Sequence, residues 1–273
     1  MKVVEYADVA SFRQAAESML AEDVANNTHS LSALQRLRRT GAHFDERMFA
    51  VHDARLVATL IRVDSGHAFI SNASAAACAL LAVHLREHDV ALEGVAATAD
   101  AVAAFTEHLG RATTPYVQLM LYRHEGNIVG GDASGEARIA TESDLDSVVA
   151  MLDAFDAELG MFKLPTPTQE RAARRIAAEE ITLWTLADEV VALAGANPLP
   201  ANSARVGPVY TCPTHRALGY AQAVTAAATR NVQRDKPRTV FLFTDASYPA
   251  SNKAYQRIGY RHIADHAHVL FHP

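Results

Sequence analysis

The fold is decided by Ala204-Arg205-Val206-Gly207-Pro208-Val209-Tyr210-Thr211, then Cys212-Pro213-Thr214-His215, then Arg216-Ala217-Leu218-Gly219-Tyr220-Ala221-Gln222. The first eight residues are β-rich yet carry Gly-Pro in their middle. Proline has no N–H to give to a ladder, so inside a strand it marks an edge or a bulge. A bulge splays the strand from its neighbour and frees backbone groups. Cys212 to His215 must turn, and Arg216 opens a helix reaching about Val232, with Leu218, Ala221, Val224, Ala228 and Val232 as its apolar face. Strand, glycine-containing turn and helix start together form an anion cradle, because unpaired N–H groups and the positive end of the helix dipole converge there.

Downstream, Thr239–Phe243 reads as an apolar strand ending at Thr244-Asp245. After Pro249, Ser251 is placed to cap a short helix over Asn252–Ile258, which Gly259 ends in the left-handed region. Asn252 and Tyr255, three apart, share one face of it. A last strand pair is expected through His262–Phe271. Upstream, Glu125–Glu136 holds four glycines without periodicity and reads as a linker. A strand at Ala137–Ala140, a capping-box-like Thr141-Glu142-Ser143-Asp144 and a helix carrying Leu145, Val148, Val149, Leu152 and Phe155 follow it.

Strands at Ile181–Ala187 and Val190–Ala196, around a turn, have counterparts at Met48–His52 and Leu56–Val63, about 134 residues earlier. A helix from about Val9 to Val24 matches the one after Thr141. The pattern suggests a tandem duplication of one α/β unit, divided as residues 1–130 and 137–273.

Composition bounds the function. The chain has 273 residues, 49% hydrophobic and 21% charged, an ordinary globular balance. No apolar run reaches the roughly 18 residues that a membrane span needs, and the N-terminus has no apolar signal core. Only Cys78 and Cys212 are present, which fits a reducing cytoplasm rather than a disulfide framework. Net charge is −6 with basic residues dispersed, so no nucleic-acid partner is expected.

Bulged strand, turn, helix, strand and a short N-x-x-Y helix ending in Gly-Tyr resemble the GNAT superfamily of acyl-CoA-dependent N-acetyltransferases. Val209-Tyr210-Thr211, Arg216 to Ala221 and Ser251 to Tyr260 carry the resemblance, which covers residues 137–273 well and the first half faintly. It implies two units, each a mixed, mostly antiparallel sheet flanked by helices, and an acetyl transfer from acetyl-CoA to a primary amine on a small molecule or peptide. The pantetheine arm would pair with the backbone of Val209 to Thr211. The pyrophosphate would sit on the amides of Arg216, Ala217, Leu218, Gly219, Tyr220, Ala221 and Gln222. Asn252 and Tyr255 would face the CoA sulfur, with Tyr255 as general acid; a phenol keeps its proton at neutral pH and can donate it to the leaving thiolate. Tyr260 reads as structural. One departure stands out: the family usually has glycine after the Arg or Gln, and here it is Ala217. If that position needs a positive φ, alanine costs about 1 kcal/mol or more.

No residue is marked as the base that deprotonates the amine; Glu180, His215 and Tyr210 are possible by position, and a water chain would also serve. Cys212 reads as a small buried thiol rather than a nucleophile. His262, His266, His268 and His272 read as solvent-facing histidines, not a metal set. The first half has Ser71-Asn72-Ala73-Ser74 where the second has its turn, and Ala99–Leu109 carries no N-x-x-Y. It reads as a degenerate copy that does not bind CoA and walls the acceptor site. Asn26-Asn27-Thr28-His29 reads as a loop after a helix, polar enough to line a cleft. Acceptor contacts are expected from Phe155–Thr168 (Phe162, Lys163, Pro165, Pro167) and Tyr248. A catalytically silent acyl-CoA-binding or regulatory protein stays open as the alternative.

Overall fold

The computed structural model describes residues 1–41, 46–63, 65–159 and 166–272. The elements run β1 (Lys2–Tyr6), α1 (Val9–Glu22), α2 (Thr28–Thr40), β2 (Arg47–His52), β3 (Leu56–Arg62), β4 (His67–Ile70), α3 (Ala75–Glu87), β5 (Gly94–Thr98), α4 (Ala99–Leu109) and β6 (Thr113–His124). The order then repeats: β7 (Glu136–Ile139), α5 (Leu145–Glu158), α6 (Thr168–Ala177), β8 (Ile181–Leu186), β9 (Glu189–Leu199), β10 (Ser203–Thr211), α7 (Tyr220–Gln233), β11 (Thr239–Asp245), α8 (Pro249–Arg257) and β12 (Arg261–Phe271).

The strands form one twelve-stranded sheet in the order β1-β2-β3-β4-β5-β12-β6-β11-β10-β9-β8-β7. Only β4–β5 and β10–β11 are parallel. At the centre each half lends its last strand to the other. β12 pairs β5 through His266↔Thr98 to Leu270↔Gly94, and β6 pairs β11 through Val240↔His124 to Asp245↔Leu119. The two exchanged strands also pair with each other along their length. Neither half completes its own ladder, so the two units share a central seam rather than meeting as separate sheets.

Small residues set the layer spacing. α7 buries Ala223, Val224, Ala226, Ala227 and Ala228 against Val191, Ala194, Ala204 and Val206. The glycine-rich passage between the halves is tied down over that helix. Ile128 is buried there, Trp184 donates its ring N–H to the Ser134 carbonyl at 2.9 Å, and Arg230 donates to the Gly130 carbonyl at 2.8 Å. α3 and α4 cover the corresponding face of the first half around Leu81, Leu85 and Phe105, and α1 and α2 cover its other face around Phe12, Leu20 and Leu37.

Four local expectations change. The end of the chain is one long strand, not a pair, because its register slips twice against β6 without a turn. α8 begins at Pro249, whose fixed φ suits a first helical position, so Ser251 lies inside the helix and caps nothing. α7 begins at Tyr220, after a one-turn helix at Pro213–His215, and Arg216 to Gly219 form the turn itself. His266 and His268 are buried, since β12 lies at the sheet centre instead of its edge.

Candidate functional site

The bulge reads true. Along β9 the register of β10 jumps between Val206 and Val209, across Gly207-Pro208. On its other side β10 pairs β11 only from Ser203↔Thr239 to Val206↔Leu242. Beyond that point β10 continues to Thr211 and β11 to Asp245 with no ladder between them, so the strands form an open fork. The fork is braced from behind. Arg175 donates to the Gly207 carbonyl at 2.9 Å, and Glu180 holds Arg175 (3.7 Å) and, from the first half, Arg39 (3.1 Å). Gly195 makes room for this brace, since a Cβ there would collide with the Arg175 guanidinium. Glu180, a base candidate by position, is therefore taken up by two guanidiniums.

The turn after the fork is exposed from Arg216 to Gly219. Gly219 precedes α7 with φ +89 and offers no side chain to cap it. Ala217 sits at φ +63, the left-handed conformation that an L-residue occupies at a cost of about 1–2 kcal/mol. The first amides of α7, on Tyr220, Ala221 and Gln222, point out of the helix start with no side-chain cap. Tyr220 is buried, Ala221 and Gln222 are half-buried, and Leu218 is exposed. Arg216 folds back: it holds Glu158 with two bonds of 2.7 and 2.8 Å, reaches the Thr211 carbonyl at 3.1 Å, and lies over the Tyr210 ring. Burial, then Glu158, pushes the Tyr210 phenol up.

Two polar atoms beside the fork are buried without a partner, Thr211 Oγ1 and Asn252 Oδ1. Tyr255, one turn beyond Asn252 on α8, belongs to the same core cluster as Tyr220, against which Val209 packs. Burial pushes its phenol up to about 12. Tyr255 differs from Tyr260, whose hydroxyl is engaged by Thr229 at 2.7 Å; among the described residues the Tyr255 hydroxyl makes no hydrogen bond. An open fork, an uncapped helix start and orphaned polar atoms suit a long ligand with amide groups and a phosphate end.

The profile of the FR47-like protein family matches residues 186–269, from the end of β8 to β12. Among solved structures, 249 chains match. An acetyltransferase from the GNAT family of Colwellia psychrerythraea is 14% identical over 99% of both chains, with a TM-score of 0.65. A GCN5-related N-acetyltransferase from Sphaerobacter thermophilus is 14% identical over 98% of this chain and 94% of its own, also at 0.65. A tandem GNAT protein from the clavulanic acid biosynthesis pathway is 12% identical over 98% and 97%, at 0.59. The chain shares the fold of these GNAT acetyltransferases. Among the curated proteins there is no match.

In this tandem GNAT fold the sequence reading missed the residues on the opposite side of the fork. His29 is the second residue of α2, not part of a loop, and its ring stacks between Phe69 (5.6 Å, 8°) and Phe243 (4.2 Å, 15°). His266 meets Phe243 edge-on at 5.0 Å, and Arg205 lies over the same ring at 5.4 Å. His29 Nε2 and His266 Nδ1 are buried without partners. Burial drives both imidazoles down, His266 to about 4. Next along the seam, His67 and His268 join through their rings at 2.8 Å. The available signal was topological: His266 and His268 become neighbours of His29 and His67 only once β12 crosses into the first half. Of the expected acceptor loop, Phe162, Lys163 and Pro165 lie outside the described residues. Tyr248 is exposed beside α8, and His215 bonds the neighbouring Thr214 hydroxyl at 3.0 Å. Among the described residues no three His, Cys, Asp or Glu side chains gather as a metal set, and no helix is long and apolar enough to cross a membrane.

Proposed function

We propose that the protein transfers an acetyl group from acetyl-CoA to a primary amine by direct attack, with residues 137–273 as the catalytic part and residues 1–130 as a partner that binds no CoA. The observation that carries this is the open fork between β10 and β11, flanked by the orphaned Thr211 Oγ1 and Asn252 Oδ1 and by the unengaged Tyr255 hydroxyl. The likeness to GNAT acetyltransferases supports it as a shared fold. Pantetheine would lie along Val209 to Thr211 and its pyrophosphate on the amides of the turn from Arg216 to Gln222. Two unlinked cysteines fit work in a reducing cytoplasm.

The amine nitrogen attacks the thioester carbonyl carbon, whose oxygen is polarised by backbone N–H near Val209 to Thr211. The C–N bond forms and the C–S bond breaks. The Tyr255 proton passes to the departing sulfur, and the proton shed by the nitrogen passes to solvent, from which the phenolate is reprotonated. A phenol keeps its proton at neutral pH and gives it up as negative charge builds on the departing sulfur.

Calorimetric titration with acetyl-CoA, on the wild type and on Tyr255→Phe, tests this beside thiol release over a panel of amines. Both proteins should bind acetyl-CoA alike, and the variant's kcat should fall about 100-fold. No binding by the wild type overturns the reading from Arg216 onward. Binding without turnover on any amine transfers support to the silent acyl-CoA-binding alternative.

A further inference from the structure

Arginines in this protein are paired almost wherever they are enclosed: Arg138 with Asp144, Arg171 with Asp156, Arg175 with Glu180 and Arg39 with Glu180. Arg111 and Arg238, also partly enclosed, bond backbone carbonyls instead, and Arg205 has neither kind of partner. It is partly enclosed, yet among the described residues it has no carboxylate partner and no hydrogen bond, only the face of Phe243. It sits one residue before Val206, where the β10–β11 ladder stops, and Phe243 is the first β11 residue past that point. Its guanidinium is therefore held at the apex of the fork.

The surroundings do not neutralise it. Enclosure, and then the like charge of Arg175, pull its pKa down to about 10. His29 and His266 flank the same Phe243 ring, each with an unpartnered, buried ring nitrogen. A cation with five donors and nothing to bind, beside two idle imidazole nitrogens, is a poor structural device, because unpaired polar groups in a low dielectric cost stability. It is a good receptor for a planar anion, which an Arg fork grips through two parallel bonds.

We propose that Arg205 anchors a carboxylate on the acceptor, so that the substrate is an amine that also bears a carboxylate, with His29 and His266 bonding its remaining polar atoms. The proposal deepens the acyltransferase reading and rests on it for the word acceptor; the anion site itself does not. The carboxylate end is gripped at the apex and the amine is left free to reach toward the thioester in the fork.

The test separates the two claims. First, 4-fluorobenzoate and its neutral isostere 4-fluorobenzamide are titrated by ¹⁹F NMR into wild type, Arg205→Met and Arg205→Lys. Benzoate should bind saturably to the wild type, about 30-fold more weakly to Arg205→Met and at an intermediate level to Arg205→Lys, with benzamide weak throughout. Second, α-amino acids and the amines left by removing their carboxyl groups are compared as acceptors at saturating acetyl-CoA. The preference for the acids should be carried in KM and vanish in Arg205→Met, whose acetyl-CoA affinity stays that of the wild type. Equal binding of benzoate and benzamide, or undiminished benzoate binding by Arg205→Met, overturns the carboxylate site even if acetyl-CoA is turned over. Arg205-dependent benzoate binding in a protein that ignores acetyl-CoA supports the site and overturns the acyltransferase reading instead. If Arg205→Met fails to fold, Arg205→Lys decides by the same comparison.

Discussion

Where the first half goes from β4 into α3, Ser74 stands at the helix start and its hydroxyl accepts from the Ala77 amide at 3.3 Å. Where the second half goes from β10 into α7, the same place is held by Gly219, with no side chain and a left-handed backbone. In the first half the Ser71 hydroxyl accepts from the Thr59 amide at 2.9 Å, and Asn27 Oδ1 accepts from the Asn72 amide at 2.6 Å. In the second half Thr211 Oγ1 and Asn252 Oδ1 are left unmet. β4 is four residues long and pairs β5 through Phe69↔Ala96, whereas β10 outruns its pairing by five residues, from Gly207 to Thr211. One element order thus yields one helix start that its own side chain caps and one that is left open, while buried unpartnered polar atoms occur in both halves, Thr59 Oγ1 in the first and Thr211 Oγ1 and Asn252 Oδ1 in the second. What separates the two turns is the cap, since only the open helix start leaves amides for an anion.

The largest effect expected from erasing that difference comes from Gly219→Asp. A carboxylate there would stand at the positive end of α7 and would repel a phosphate. Aspartate tolerates the left-handed region better than most residues, and open space surrounds the Gly219 Cα. Acetyl-CoA affinity measured by calorimetry should drop about 30-fold or more, while melting temperature moves by only a few degrees. Ser74→Gly is the mirror experiment: it should leave acetyl-CoA binding untouched and cost at most a few tenths of a kcal/mol of stability. Wild-type affinity in Gly219→Asp would mean the phosphates sit elsewhere.

Local chemistry carried most of what the sequence revealed. Gly207-Pro208 announced the bulge because proline cannot join a ladder, and Gly219 announced the turn because few other residues accept its φ. The strand pairs at Arg47–Arg62 and Ile181–Leu199 were visible as apolar runs around a turn. What stayed hidden was non-local. Nothing near Thr113–His124 or His262–Phe271 says that each strand will pair inside the other half, since strand pairing partners leave no mark on the strand itself. That exchange alone buries His266 and His268, and it brings β12 beside His29 and Phe69 from the first half. Arg205 was in plain view but read as one more residue of a strand, because its lack of a partner is a property of the assembled sheet.

The seam offers the next contrast, since the buried His67, His266 and His268 lie where β12 crosses to β5 beside β4. Burial lowers His67 and His266 to about 4 and His268 to about 3. The unfolded chain takes up these protons below about pH 6.5, and the folded chain does not until about pH 4. More protons on the unfolded state mean stability falls as pH falls through that window, by at most about 1.4 kcal/mol per pH unit for each histidine. Melting temperature should be level above pH 7 and decline between 6.5 and 4. Hydrogen exchange at pH 5 should quicken in β4, β5 and β12 before β9 and β10. A curve that stays level to pH 5, or exchange that quickens first in the fork, would show that the seam is not the acid-sensitive part.

The smallest predicted effect tests Ala217, the one residue of the second turn that departs from the pattern the resemblance implies. Ala217 is exposed and held at φ +63, so its Cβ sits against the backbone in a conformation costing about 1–2 kcal/mol. Glycine would remove that strain but would also give the unfolded chain more freedom, worth roughly 0.5–1 kcal/mol in the other direction. The two terms nearly cancel for the protein alone, and the melting temperature of Ala217→Gly should stay within a few degrees of wild type. They do not cancel for a ligand seated on the turn. A ligand pressed onto the amides gains approach when the Cβ goes, and it meets a folded chain in both proteins, so the unfolded-state term drops out. Acetyl-CoA should therefore bind about 2- to 5-fold more tightly to Ala217→Gly, a gain of about 0.4–1 kcal/mol, without a matching change in stability. Tighter binding with unchanged melting would locate the phosphates against residue 217. A stability gain without tighter binding would make the strain at Ala217 a matter of the turn alone.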